Sequence, residues 1–262
     1  MNTEILLAGK RIVVTRARHQ AEAVAAMIRE RGGVPLLYPC IAIAPPDDFS
    51  PLDDALSRLS EFDWLVFTSS NAVAAVAERL RLLASQPDWS HLSIAAVGPQ
   101  TSDAVKVAFG RGVEFFPEQA NARTLAHRLP VSKAARLLLP QSNRADSSTA
   151  QIFRDRGAAV STIFAYRTIM GSGGIDLAAQ LSQGNAQALT FASPSAVEFL
   201  LRRCPQPKLL DLPAACIGAT TAATARRLGF GRLVVPPVSG LSKMLEALAQ
   251  FFLADAEFAE EL

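Results

Sequence analysis

The run Phe67-Thr68-Ser69-Ser70-Asn71-Ala72-Val73 returns as Phe191-Ala192-Ser193-Pro194-Ser195-Ala196-Val197, 124 positions further along the chain. Before the first copy stands the apolar stretch Trp64-Leu65-Val66-Phe67, and after it Val73, Val76, Ala77, Leu80 and Leu83 recur at helical spacing. A strand therefore turns through hydroxyl residues into a helix, with serine where a helix cap belongs. Three further pairs keep the same order: Gly157 lies 125 positions after Gly32, Gly218 lies 120 after Gly98, and Pro237 lies 120 after Pro117. A spacing that drifts from 125 to 120 is what loop deletions produce in a duplicated chain, so two similar lobes are expected.

The rest of the chain fills in the same β, loop, α unit. Arg11–Arg16 reads as a buried strand, Val24, Met27 and Ile28 as a helix stopped by Gly32-Gly33, and Val34–Ile43 as a second strand. Ser93–Val97 and Val113–Phe116 are further strands, with helices through Ala104-Val105 and through Leu125 and Leu129. From Arg136 the order begins again, with Leu137–Pro140, a helix carrying Ile152 and Phe153, and the strand Val160–Ile169. Repeated βα units imply an α/β fold with mainly parallel sheets, and ligands then bind beyond the carboxyl ends of the strands. Here those ends are small and hydroxylic: Thr15-Arg16, Thr68-Ser69-Ser70, Gly98-Pro99, Gln141-Ser142, Ala192-Ser193 and Gly218-Ala219-Thr220.

Ile163–Ile169 carries Tyr166, one of two tyrosines; the other, Tyr38, lies in the comparable Val34–Ile43 run. Strict alternation puts Phe164, Tyr166 and Thr168 on one face and Ala165, Arg167 and Ile169 on the other. The cluster Gly171-Ser172-Gly173-Gly174 that follows reads as a flexible joint.

A chain of 262 residues lies near the roughly 250–300 residues at which single cores give way to separate domains. Half of the residues are hydrophobic and 19% charged, which suits a packed globule, and a net charge of +2 offers no coat for nucleic acid. No signal-type stretch or long apolar run occurs, so a cytoplasmic protein without a membrane span is expected. Cys40, Cys204 and Cys216 form no CxxC pair, and His19, His91 and His127 are scattered, so no metal site is expected. Gly110-Arg111-Gly112 precedes a strand, the later glycine cluster lacks nucleotide-loop spacing, and Ser69 and Ser193 lack a nucleophile elbow. What remains is a phenol, hydroxyls and arginines: Tyr166, Thr101, Thr220, Thr221, Arg16, Arg144 and Arg167. Helix N-termini behind hydroxyl loops bind carboxylate or phosphate without basic side chains, so a ligand with several anionic groups would fit. The plainer reading is that Ser69, Ser70, Ser193 and Ser195 only cap helices.

Taken together, Val14-Thr15-Arg16, the two serine runs, Val97-Gly98 with Thr101, Ala165-Tyr166-Arg167-Thr168, and Ile217-Gly218 with Thr220-Thr221 resemble the uroporphyrinogen-III synthase family. The resemblance covers roughly Gly9 to Ala249. It implies two Rossmann-like parallel-sheet lobes joined by a two-stranded antiparallel linker: residues 1–37 with 171–262, residues 44–164, and linker strands 38–43 and 165–170, with a cleft between the lobes. It also implies a lyase that converts hydroxymethylbilane, a linear tetrapyrrole, to uroporphyrinogen III in tetrapyrrole (haem) biosynthesis. Water is expelled, the terminal pyrrole inverts through a spiro intermediate, and the macrocycle closes, with no cofactor, in a monomer. By the same resemblance Tyr166 assists departure of the hydroxyl, and Arg16, Ser69, Ser70, Asn71, Thr101, Ser193, Ser195, Thr220 and Thr221 bind substrate. The alternative from the residues alone is a two-lobed binding or regulatory module that holds a small polyanion without turnover.

Overall fold

The structure is a computed structural model that describes residues 7–84 and 87–260, the last five of these as helical backbone only. The chain runs β1 (Arg11–Val14), α1 (Arg18–Glu30), β2 (Val34–Leu37), β3 (Ile41–Ala44), α2 (Ser50–Ser57), β4 (Trp64–Phe67), α3 (Ser70–Leu82) and β5 (Ser93–Ala96). It continues through α4 (Pro99–Phe109), α5 (Ala122–Arg128), β6 (Arg136–Ser142), α6 (Ser148–Asp155), β7 (Ala159–Met170) and α7 (Leu177–Ser182). The final third is β8 (Ala188–Phe191), α8 (Pro194–Arg203), β9 (Ala214–Cys216), α9 (Ala219–Arg227), β10 (Leu233–Val234) and α10 (Leu241–Glu260). Two compact units result, one from the residues up to Ala42 with those from Ile169 onward, the other from Ile43–Thr168. The chain changes unit within β3 and again within β7.

In the first unit the sheet order is β10-β9-β8-β1-β2, with all neighbours parallel. Numbered within the unit, this is the 2-1-3-4-5 order of doubly wound α/β folds, and its switch point lies between β1 and β8. Ile12 and Val14 of β1 are buried against Val24 and Ile28 of α1 and Leu245 and Leu248 of α10. Val197 and Leu200 of α8 are buried too, so apolar residues recur on the inner stripe of that helix.

In the second unit the sheet order is β3-β7-β6-β4-β5, with β7, β6, β4 and β5 mutually parallel. Period-two burial divides β4 between two cores. Leu65 and Phe67 join Val73, Val76 and Leu80 of α3 and Val105 of α4, whereas Val66 joins Leu125 of α5 and Phe153 of α6. The switch point here lies between β6 and β4.

Three sequence expectations are corrected. Val34–Ile43 is not one strand but β2 and β3, separated by Tyr38, Pro39 and Cys40. Pro39 has no N–H to give a ladder, and the flanking amides instead reach the end of β1: Tyr38 N–H donates to Val14 O (3.0 Å) and Cys40 N–H to Thr15 O (2.9 Å). Tyr38 therefore lies in the corner between strands rather than in a linker strand. Val113–Phe116 shrinks to a single parallel bridge between Ala95 and Phe115, at the edge of the sheet and just before Pro117.

The third correction bears on the site. Gln141 faces Phe164 across the β6–β7 ladder, but the next residue, Ser142, faces Tyr166, leaving Ala165 as an extra residue. This bulge breaks the alternation, so Phe164 and Tyr166 lie on opposite faces: Phe164 is 57% exposed and Tyr166 only 7%. The glycine cluster, too, is more than a joint. A Cβ on Gly171 would overlap the Pro39 carbonyl oxygen and lie 2.8 Å and 2.9 Å from Ile41 O and N, so the backbones approach too closely for any side chain.

Candidate active site

In the second unit the carboxyl ends of β7, β6, β4 and β5 stand side by side. After β4 the backbone of Ser69 is extended, and its Oγ accepts the N–H of Ala72 at 3.1 Å, capping the 13-residue helix α3. The same Oγ lies 3.1 Å from Tyr166 Oη. The ring of Tyr166 is buried in the apolar cluster that contains Phe67, Val73 and Leu138. Around it β7 is tied to the end of β6: Asn143 N–H donates to Tyr166 O (3.2 Å), and Asn143 Oδ1 accepts from Thr168 N–H (2.9 Å) and Ser142 Oγ (3.1 Å). Ser142 Oγ and Thr168 Oγ1 are 3.0 Å apart. These bonds replace the regular ladder beyond the bulge and fix the strand where it carries the phenol.

Ser70 opens α3, Asn71 follows in its first turn, and Thr101 lies buried in the first turn of α4. Between α3 and α4 is a hollow of about 430 Å³ lined by Ser70, Val73, Gln100, Asp103, Ala104 and Val107. Two helix N-termini thus serve one side of this unit, each at the positive end of its helix dipole.

The first unit repeats the design. Ser193 Oγ accepts the N–H of Ala196 at 3.4 Å at the head of α8, and half-buried Ser195 follows Pro194 in its first turn. Thr220 is exposed and Thr221 buried in the first turn of α9. Arg16 donates from Nη2 to Gln20 Oε1 at 2.9 Å, and burial of its guanidinium lowers its pKa from the usual arginine value. Thr15, at the same strand end, is spent internally: its hydroxyl donates to Thr190 O (2.6 Å), and that of Thr190 donates to Val13 O (2.9 Å). The equivalent glycines also repeat for one reason. A Cβ on Gly98 would lie 2.6 Å from Ala120 Cβ, and one on Gly218 2.5 Å from Ser239 Oγ, so in each half a later loop closes on the turn before the helix.

The candidate residues therefore divide between the units: Tyr166, Ser69, Ser70, Asn71 and Thr101 in the second, Arg16, Ser193, Ser195, Thr220 and Thr221 in the first. Of these the structure joins Tyr166 to Ser69 directly. Sequence reading missed Asn143 and gave Ser142 and Thr168 no part in holding Tyr166. The signal available was the polar run Gln141-Ser142-Asn143 at a strand end, but its partners lie 25 and 26 positions away.

Buried thiols offer no nucleophile, since desolvation pushes Cys40 up to about 12 and Cys216 up to about 11. Among the described residues no three His, Cys, Asp or Glu side chains cluster as metal ligands would. No helix among them is long and apolar enough to cross a membrane. The chemistry on offer in the second unit is thus a buried phenol beside a capping hydroxyl.

The chain is similar to known proteins over most of its length. Residues 22–246 match the family model described as uroporphyrinogen-III synthase HemD. A uroporphyrinogen-III synthase of Synechococcus elongatus is 32% identical over 241 residues, covering 87% of this chain and 90% of that protein. The chloroplastic enzyme of that name from Oryza sativa is 28% identical, over 95% of this chain and 83% of its own. In fold, the chain is similar to the crystal structure of a mutant uroporphyrinogen III synthase from Thermus thermophilus, with a TM-score of 0.66 at 21% identity over 94% of this chain and 100% of that one. The alternative of a binder without turnover draws no support from these relatives. With the family model spanning both units and their serine-capped strand ends, the chain belongs to the uroporphyrinogen-III synthase family.

Proposed function

We propose that this chain converts hydroxymethylbilane to uroporphyrinogen III, acting as a hydro-lyase that closes a ring. The Synechococcus elongatus relative, named a uroporphyrinogen-III synthase and matched over nine-tenths of its length, carries this reading. The substrate bears an acetate and a propionate on each of four pyrroles and loses its terminal hydroxyl readily, closing unaided to the uninverted isomer. The catalyst's task is therefore to hold one folded shape and to time the departure of water, which is an effect of orientation.

In this reading Tyr166 Oη gives its proton to the departing hydroxyl, and the C–O bond breaks with its electron pair leaving in water. The terminal ring inverts through a spiro intermediate. The proton lost from the attacked pyrrole carbon at closure returns to the phenolate. The amides and hydroxyls at the helix starts, Ser70, Asn71 and Thr101 on one unit and Ser193, Ser195, Thr220 and Thr221 on the other, hold the carboxylates or line their sites, with Arg16 as a further contact. β3 and β7, within which the chain passes from one unit to the other, serve as the linker. The enzyme works as a cytoplasmic monomer, without a metal or organic cofactor.

The test supplies hydroxymethylbilane and separates the product isomers. The reading expects uroporphyrinogen III well above the spontaneous rate. Formation of the uninverted isomer alone, at that rate, would reject it.

A further inference from the structure

We infer that Ser69 sets the direction of the Tyr166 hydroxyl and supports its oxygen as the proton leaves. This positioning role rests on the reading of Tyr166 as the acid. A phenol has one proton to give. If that proton points at the departing substrate hydroxyl, it cannot also point at Ser69, so across the 3.1 Å contact Ser69 is the donor and Tyr166 Oη the acceptor.

Ser69 is equipped for this. Its oxygen already accepts the Ala72 N–H at 3.1 Å, which polarises the serine O–H and strengthens it as a donor. The group stands at the positive end of a 13-residue helix. As the proton passes from Tyr166 to the leaving hydroxyl and the C–O bond breaks, negative charge grows on the phenol oxygen. A hydrogen bond to a charged acceptor is stronger than one to a neutral acceptor, so the help from Ser69 increases along the reaction coordinate. Proton return at ring closure restores the starting pair.

The bulge at Ala165 is what makes the contact, because it turns Tyr166 to the face opposite the exposed Phe164. Ser69 thereby differs from its counterpart Ser193, which caps its helix in the same way but has no phenol in hydrogen-bond contact. The family resemblance implies the same task for both serines, binding substrate, with helix capping as the plainer reading. The geometry gives Ser69 another.

The experiment compares Ser69→Gly, Ser69→Thr, Tyr166→Phe and the double variant Ser69→Gly/Tyr166→Phe on hydroxymethylbilane, with kcat and KM measured for each. Glycine is accepted at a helix N-cap, so helix α3 keeps its start while the donor is lost; threonine keeps both functions. Ser69→Gly is expected to lower kcat roughly 10- to 100-fold, as for loss of a hydrogen bond to a group gaining charge. KM should stay within about twofold, because the interaction belongs to the transition state. Ser69→Thr should restore most of the rate. In the Tyr166→Phe background the same glycine change should alter kcat by less than about twofold, since the two residues act as one unit. A loss that appears in KM, a loss of equal size in both backgrounds, or full activity of Ser69→Gly overturns the inference and leaves Tyr166 as the acid. Wild-type activity in Tyr166→Phe removes the acid and the inference together.

Discussion

Replacing Gly171 by alanine adds one methyl group at a close backbone approach in the first unit. That methyl would overlap Pro39 O and stand 2.8 Å from Ile41 O and 2.9 Å from Ile41 N, against the 3.4 Å at which ordinary contact begins. All three are main-chain atoms, so no rotamer change gives relief. The corner they form is also held in place. Gly171 N–H donates to Cys40 O at 2.9 Å, and Arg203 lies 4.1 Å over the Tyr38 ring while donating to Pro39 O and, at 2.9 Å, to Gly173 O. Making room costs about 1–3 kcal/mol of overpacking strain, and parting the Gly171–Cys40 bond costs about 1 kcal/mol more. The expected loss for Gly171→Ala is therefore roughly 2–4 kcal/mol. Gly173→Ala is the matched control, since nothing lies within 4 Å of a Cβ there and only its φ of +71° opposes a side chain. That left-handed conformation costs about 1–2 kcal/mol. Urea unfolding followed by circular dichroism ranks the two. Should Gly171→Ala lose no more stability than Gly173→Ala, the close approach is not what selects glycine.

Asn143→Ala removes the carbonyl that accepts from Thr168 N–H and Ser142 Oγ, and should lower kcat several-fold while costing about 1 kcal/mol of stability. Asn143→Asp keeps an acceptor oxygen and should retain most of the rate; equal losses in the two would refute a pinning role. With thiols pushed up to about 12 and about 11, Cys40 and Cys216 should escape iodoacetamide at pH 8 in the folded protein and react on unfolding, as read by mass spectrometry. Because those folded values lie above the roughly 8.5 of an unfolded cysteine, the stability they contribute is complete below that pH and is lost as pH rises toward the folded values. The double variant Cys40→Ala/Cys216→Ala should decline less steeply with alkaline pH.

Features set by near neighbours in sequence were legible before the structure. The caps at Ser69 and Ser193 reach amides three residues ahead, and the βα periodicity needs no partner to be seen. Their recurrence in order gave the duplicated α/β architecture. Features set by distant partners were not. The bulge at Ala165 depends on the register of β7 against Gln141 and Ser142, so strict alternation wrongly grouped Phe164 with Tyr166. The break after Leu37 depends on amides of Tyr38 and Cys40 finding carbonyls of Val14 and Thr15, and the need for Gly171 comes from Pro39 and Ile41. In the site, the phenol was visible as a lone tyrosine in a strand, but its hydroxyl partner Ser69 lies 97 positions away. The same distance hid the contact that sets one serine of a repeated pair apart from the other.

The most direct test of the central claim is the steady-state rate of uroporphyrinogen III formation by Tyr166→Phe, which deletes one oxygen from the buried phenol. A positioned general acid contributes about 10²- to 10⁴-fold; for a substrate that already loses water readily, the lower end is expected, roughly a 100-fold fall in kcat with KM nearly unchanged. A variant that forms uroporphyrinogen III at the wild-type rate, or that loses activity only through a raised KM, would contradict the assignment of Tyr166 to the departure of water.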